Sequence, residues 1–132
     1  MTWQEFQKEL KILQNKIDYS PDIIVGIVRG GLIPARILSG YLNVKEMFCL
    51  TVKKVTGQRK VITRIEEDIT GKKILLIEDM LETGKSLDVA KQYLEEKGAI
   101  VKTACLYTMP ISKTKPDYFI KQVNTVIVFP WE

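Results

Sequence analysis

The stretch Ile74-Leu75-Leu76-Ile77-Glu78-Asp79-Met80-Leu81-Glu82-Thr83-Gly84-Lys85-Ser86-Leu87 decides how this 132-residue chain is read. It opens with an apolar run from Lys73 to Ile77, as expected of a strand covered on both faces. Two carboxylates follow at once, and Glu82 stands three residues beyond Asp79. Thr83-Gly84-Lys85-Ser86 then starts a predicted helix running from about Thr83 to Lys97, with Leu87, Ala90, Tyr93 and Leu94 on one face and Gly98 to stop it. Gly84-Lys85-Ser86 invites a P-loop reading, but that motif needs glycine where Asp79 stands, so it fails. A helix start of this kind holds a phosphate through backbone N–H groups, the Thr83 and Ser86 hydroxyls and the helix dipole. Carboxylates beside a phosphate repel it unless they accept hydrogen bonds from sugar hydroxyls, hold Mg²⁺ or steady a developing cation. A solvated acidic turn with an ordinary cap leaves the coincidence of three spaced acids and a phosphate cup unexplained.

Upstream, Ile23 to Val28 is a second short apolar strand, and Gly26-Ile27-Val28-Arg29-Gly30-Gly31 closes it. Glycines allow close approach of a ligand, consecutive N–H groups form an anion nest, and Arg29 adds a cation for phosphate oxygens. The spacing G-x-x-x-G-G does not fit the dinucleotide fingerprint. A plain tight turn between strand and helix explains the same residues. Leu32 to Leu42 reads as a helix with Pro34 in its first turn. Trp3, Phe6, Leu10, Leu13 and Ile17 mark an amphipathic helix over Thr2 to Ile17, and Thr2 with Glu5 fits a capping box. Glu46 to Val55 and Val61 to Ile65 read as strands around a polar tip, Thr56 to Lys60. Ile100 to Tyr107 and the weaker run Val123 to Phe129 complete the pattern. Strand–helix alternation predicts one α/β domain over residues 1–132, a parallel-rich sheet with helices on both faces. Ligands in such sheets gather at the carboxyl ends of strands.

Composition narrows the chemistry. The chain has no histidine, which excludes Ser-His-Asp and Cys-His catalysis, His-ligated zinc or haem and an imidazole pH switch. Carboxylates, Lys, Arg, Tyr, backbone N–H groups or a hard metal must do the work. The net charge of +4 suits small anions as well as nucleic acid. Cys49 and Cys105 lie far apart in apolar stretches, as free buried thiols in a reducing cytoplasm would. The N-terminal stretch is not a signal peptide, and no apolar run is long enough for a membrane span.

At Glu78 through Leu87 the chain resembles the type I phosphoribosyltransferases, whose phosphoribosyl-pyrophosphate (PRPP) signature has this order of apolar strand, acid pair, two apolar residues and acid-Thr-Gly. Val28-Arg29-Gly30-Gly31 looks like their pyrophosphate loop. Pro116-Asp117-Tyr118 and Ile127-Val128-Phe129-Pro130-Trp131-Glu132 resemble the C-terminal segment of the xanthine-guanine and related 6-oxopurine branch. The resemblance implies a parallel-rich sheet with a flexible hairpin lid and a small hood. It also implies Mg²⁺-dependent transfer of the phosphoribosyl group from PRPP to a nucleobase in purine salvage, with release of pyrophosphate. By that pattern Glu78 and Asp79 contact the ribose 2′- and 3′-hydroxyls, directly or through Mg²⁺. Thr83, Gly84, Lys85 and Ser86 hold the 5′-phosphate. Arg29, Gly30 and Gly31 hold the pyrophosphate, with a cis peptide before Arg29, and Arg59 lies in the lid. Glu82 matches the carboxylate near the incoming base.

Three positions depart from the pattern. Glu82 replaces an aspartate, Val126, next to Ile127, stands where the purine branch stacks an aromatic ring on the base, and Met109 stands where a lysine reads the 6-oxo group. Lys113 and Lys115 lie close to that lysine position in sequence. The altered base side, together with Lys53, Lys54, Arg59, Lys60 and Arg64 on one hairpin, keeps a second reading open: a PRPP-binding regulator or RNA-binding protein on the same fold. A solvated lid-bearing strand pair accounts for those charges more simply, so nucleic acid is not the expected partner. Members of the family assemble as dimers or tetramers, and the Trp3/Phe6 face with Trp131 is the candidate contact.

Overall fold

The computed structural model describes residues Met1–Glu132. The first helix, α1 (Trp3–Lys16), begins on the predicted capping box: the Glu5 N–H donates to the Thr2 hydroxyl while the Glu5 carboxylate accepts from the Thr2 N–H. The strands β1 (Ile23–Val28), β2 (Glu46–Val55), β3 (Gln58–Val61), β4 (Lys73–Ile77) and β6 (Ile100–Ala104) form one sheet in the order β3-β2-β1-β4-β6. All pairings are parallel except β2 with β3.

Alternation along the central strands builds two cores. Ile23, Val25 and Ile27 of β1, with Ile74 and Leu76 of β4, pack against Leu87, Ala90 and Leu94 of α3 (Lys85–Glu96). Ile24, Leu75 and Ile77 face the other way, onto Phe6, Leu10 and Leu13 of α1 and Ala35 and Leu38 of α2 (Leu32–Tyr41). Both faces of the sheet are covered, which is why its central strands read as unbroken apolar runs. The expected α/β architecture with helices on both faces is the one found.

Five local expectations are corrected. The hairpin tip is two residues, Thr56-Gly57, rather than five; both have positive φ (49° and 82°), and the tight turn they make leaves Gln58–Val61 free to pair with β2. The strand expected at Val61–Ile65 therefore lies earlier. The predicted strand Ile100–Tyr107 breaks after Ala104, because the Cys105 N–H turns to Tyr118 O and the Leu106 N–H to Asp79 O. Beyond the break, β5 (Met80–Leu81), β7 (Tyr107–Thr108) and β8 (Lys121–Gln122) form a small parallel sheet that no periodicity announced. Val123–Phe129 forms no strand; Phe129 is buried and Ile127 packs on the α1 side, so the run serves packing rather than a ladder. Helix α3 starts at Lys85, not Thr83, because Gly84 before it is left-handed at φ 82°.

The C-terminal tail closes the α1 face. Phe129 stacks on Trp131 at 4.8 Å, and Trp131 meets Phe6 edge-on at 4.9 Å. The Met1 ammonium donates to Val128 O at 3.1 Å. Phe6 is fully buried within the chain and so takes no part in an outer surface, while Trp131 stays part-exposed and Trp3 half exposed. Cys105 is buried and Cys49 half-buried, both as free thiols. No helix is long and apolar enough to cross a membrane.

Candidate active site

The carboxyl ends of β1 and β4 lie side by side, since Gly26 pairs with Ile77 in parallel register. This places Arg29-Gly30-Gly31 against Glu78-Asp79. Gly30 lies directly on the Asp79 carboxylate, where a Cβ would overlap its oxygens. A Cβ at Gly31 would meet backbone oxygens of Ile77 and Ile27. Only glycine fits either position, so the close approach of the two loops is written into their composition. The Val28–Arg29 peptide is cis, as the resemblance implies, and the Arg29 side chain is exposed.

The acid pair sits at a change of sheet. Glu78 N–H donates to Ala104 O at 3.1 Å and Leu106 N–H to Asp79 O at 3.0 Å, bridging the gap between the large and small sheets. The Asp79 N–H donates to Glu78 Oε1 at 3.1 Å, and the Met80 N–H to Asp79 Oδ1 at 2.6 Å. Burial pushes the Glu78 carboxyl well above the usual carboxylate range, and the neighbouring Asp79 charge pushes it further. Burial also raises Asp79, against the Met80 N–H bond that favours its ionised form; the charge of Glu132 adds to the rise. Neither acid has a basic partner, the chain's one ion pair being Arg64 with Glu66.

Arg59, Glu78, Glu82, Thr83, Gly84, Lys85 and Ser86 line one cleft of about 280 Å³, together with Met80, Leu81 and Leu87. Gly84 offers no capping side chain to α3; the Lys85 N–H donates to the Thr83 hydroxyl at 3.4 Å, and the next N–H groups, of Ser86 and Leu87, are open to a ligand. Two of the predicted acids, Glu78 and Glu82, the Thr83–Ser86 helix start and the hairpin arginine therefore share one cavity, and Asp79, next to Glu78 in the chain, meets Gly30 outside its lining. The predicted base-side residues do not line it. Met109 borders a second cleft of about 350 Å³ with Thr108, Ser112, Thr114, Lys115 and Gln122. Val126 is 55% exposed, and Ile127 packs into the core beneath the tail. Sequence reasoning missed Thr114 and Ser112, which cover Gly84, and Glu132, which the folded tail brings toward Asp79. No local spacing signals these contacts, because loop and tail closure creates them.

The phosphoribosyl transferase domain family matches residues 7–132. The chain is 27% identical to the xanthine-guanine phosphoribosyltransferase of Cereibacter sphaeroides, across all of this chain and 85% of that protein. It is 31% identical to the hypoxanthine-guanine phosphoribosyltransferase of Lactococcus lactis, over 86% of this chain and 68% of the relative. Among solved structures, the purine phosphoribosyltransferase of Pyrococcus horikoshii Ot3 superposes with a TM-score of 0.93 at 34% identity, covering all of this chain and 92% of that one. A match across nearly the whole length, on a fold whose two glycine-closed strand ends meet at an acid pair, leaves one conclusion: the chain belongs to the phosphoribosyl transferase domain family and is a phosphoribosyltransferase.

Proposed function

We propose that the protein transfers the 5-phosphoribosyl group from PRPP to a 6-oxopurine, releasing pyrophosphate, with Mg²⁺ as cofactor. The observation that carries this reading is the approach of Gly30 to the Asp79 carboxylate beside a helix start whose Ser86 and Leu87 N–H groups are free. A sugar flanked by two phosphate groups needs that order of sites: anion nest, carboxylates, anion cup. The purine names of the relatives support the 6-oxopurine choice.

Glu78 and Asp79 fit a hard divalent ion. They are two adjacent carboxylates without a cation, and the chain holds no cluster of three metal-binding side chains. Mg²⁺ is held in this way when one or two carboxylates share it with waters and substrate phosphates. When bound, it would neutralise charge that collects on the pyrophosphate as the C1′–O bond breaks. The remaining roles fall to the chain itself. Thr83, Gly84, Lys85 and Ser86 hold the 5′-phosphate through N–H groups, hydroxyls and the positive end of α3. Arg29 with the Gly30 N–H holds the departing pyrophosphate, while the Gly31 N–H is engaged by Ile27 O at 2.8 Å and shapes the loop. Glu78 and Asp79 accept hydrogen bonds from the ribose hydroxyls, and their negative charge favours the oxocarbenium-like ribose. Glu82, exposed at the cleft, accepts the proton from the incoming base nitrogen. Arg59 closes over PRPP from the hairpin and keeps bulk water from the cation. On the base side, Lys115 shares the cleft of Met109 and supplies the cation that Met109 lacks.

The test is to incubate the protein with PRPP and Mg²⁺, offer hypoxanthine, guanine, xanthine, adenine or uracil, and follow pyrophosphate and the nucleotide product. Turnover with one or more 6-oxopurines, and little with adenine or uracil, is expected. No turnover with any base contradicts the reading.

A further inference from the structure

The segment that carries Met109 also touches the phosphate cup. The Met109 N–H donates to Leu81 O at 2.9 Å, and the Ser112 hydroxyl donates to Thr114 O at 2.8 Å. The Thr114 hydroxyl donates to Asp88 Oδ2 at 2.6 Å. Gly84 is buried under this segment: a Cβ there would stand 2.6 Å from the Thr114 Cβ. Thr114 thus fills the space that any side chain at residue 84 would need.

Asp88 is the acid in the first turn of α3, where only the Lys85 N–H has a side-chain partner, the Thr83 hydroxyl, and the Ser86 and Leu87 N–H groups are free. A carboxylate at this place is drawn to the free N–H groups of its own helix by the dipole. It competes there with any bound phosphate and repels it. A hydroxyl donor that engages Asp88 from outside the helix removes that competitor.

We propose that Thr114 is a positioning residue: by holding the Asp88 carboxylate and packing on Gly84, it keeps the start of α3 open for the 5′-phosphate and ties the base-side segment to the phosphate cup. The inference rests on the phosphoribosyl reading above, yet the two fail separately in one experiment.

That experiment titrates ribose 5-phosphate, which fills the cup without turnover, into wild type, Thr114→Val, Thr114→Ser, Asp88→Ala and the Thr114→Val/Asp88→Ala pair. Calorimetry gives the affinities, and kcat and the KM for PRPP are measured in parallel. Valine keeps the shape and loses the donor. It should weaken ribose 5-phosphate binding about tenfold, the scale of one hydrogen bond to a charged group, and raise the KM for PRPP alike with kcat within about twofold. Serine should restore both. Asp88→Ala should bind at least as tightly as wild type, and in the double variant it should relieve the valine defect. A merely structural threonine predicts no such relief. Unchanged affinity in Thr114→Val, or a defect that neither serine nor Asp88→Ala corrects, overturns the inference while the phosphoribosyl reading stands. Should Thr114→Val not fold, a tenfold loss in Asp88→Ala overturns it instead. Wild type that binds no ribose 5-phosphate removes both.

Discussion

Glu78 follows a strand buried from Ile74 to Ile77, with its carboxyl group beside that of Asp79 and no ion-pair partner for either. Its pKa is raised first by burial and then by the Asp79 charge, so the ionised form is disfavoured in the folded chain. A carboxyl with a raised folded-state pKa contributes fully below its unfolded pKa. That contribution is lost as pH rises through the folded value. The protein without metal should therefore lose stability from the ordinary carboxylate range upward. Glu78→Gln keeps an acceptor for the Asp79 N–H and drops the charge. Thermal melts without Mg²⁺ should show the melting temperature of the variant gaining on that of wild type as pH rises toward 8, while turnover falls. A variant less stable than wild type throughout that range contradicts the assignment. Glycine at 30 and 31 belongs to the same logic, since both backbones lie where a side chain would strike Asp79 or the neighbouring strands.

Among the elements, the C-terminal tail shows why local pattern and final role part company. Val123–Phe129 carries strand-like apolar content, yet the large sheet has no place for it; Val123, Ile127 and Phe129 pack on the α1 side of the core while Val126 and Val128 stay exposed. Trp131 holds the tail by stacking on Phe129 and meeting Phe6 edge-on. Trp131→Ala should cost about 2–3 kcal/mol, the value of a part-buried aromatic with three ring partners, Trp3, Phe6 and Phe129, read as a shift in the denaturation midpoint at unchanged m. A loss below about 0.5 kcal/mol would mean that the tail is held elsewhere. The other misread elements share a cause. The break at Cys105-Leu106 and the two-residue strand after Asp79 arise because the two neighbouring strands leave the large sheet at the same level and re-pair in the small one. Nothing local to Ile100–Tyr107 encodes that exchange. By contrast, β1, β2, β4 and α1 fall where their apolar periodicity puts them, because burial on known faces dictates both pattern and structure.

At the scale of the molecule, a chain without histidine gathers its chemistry where two parallel strands end. That Glu78, Glu82 and Thr83–Ser86 line one cleft was legible because they are contiguous in sequence. The meeting of Asp79 with Gly30 follows once β1 and β4 are neighbours. The base side was less legible: Val126 faces solvent and Met109 lines a separate cleft, so matched positions alone do not assemble a pocket. The half that does assemble is checked by one calorimetric titration of PRPP with Mg²⁺ into wild type and Asp79→Asn. Wild type should bind at a single site only when Mg²⁺ is present, and Asp79→Asn should bind at least about 100-fold more weakly, the loss expected when one buried charged contact is removed. Binding of equal strength in the two proteins, or none in wild type, would contradict the PRPP reading.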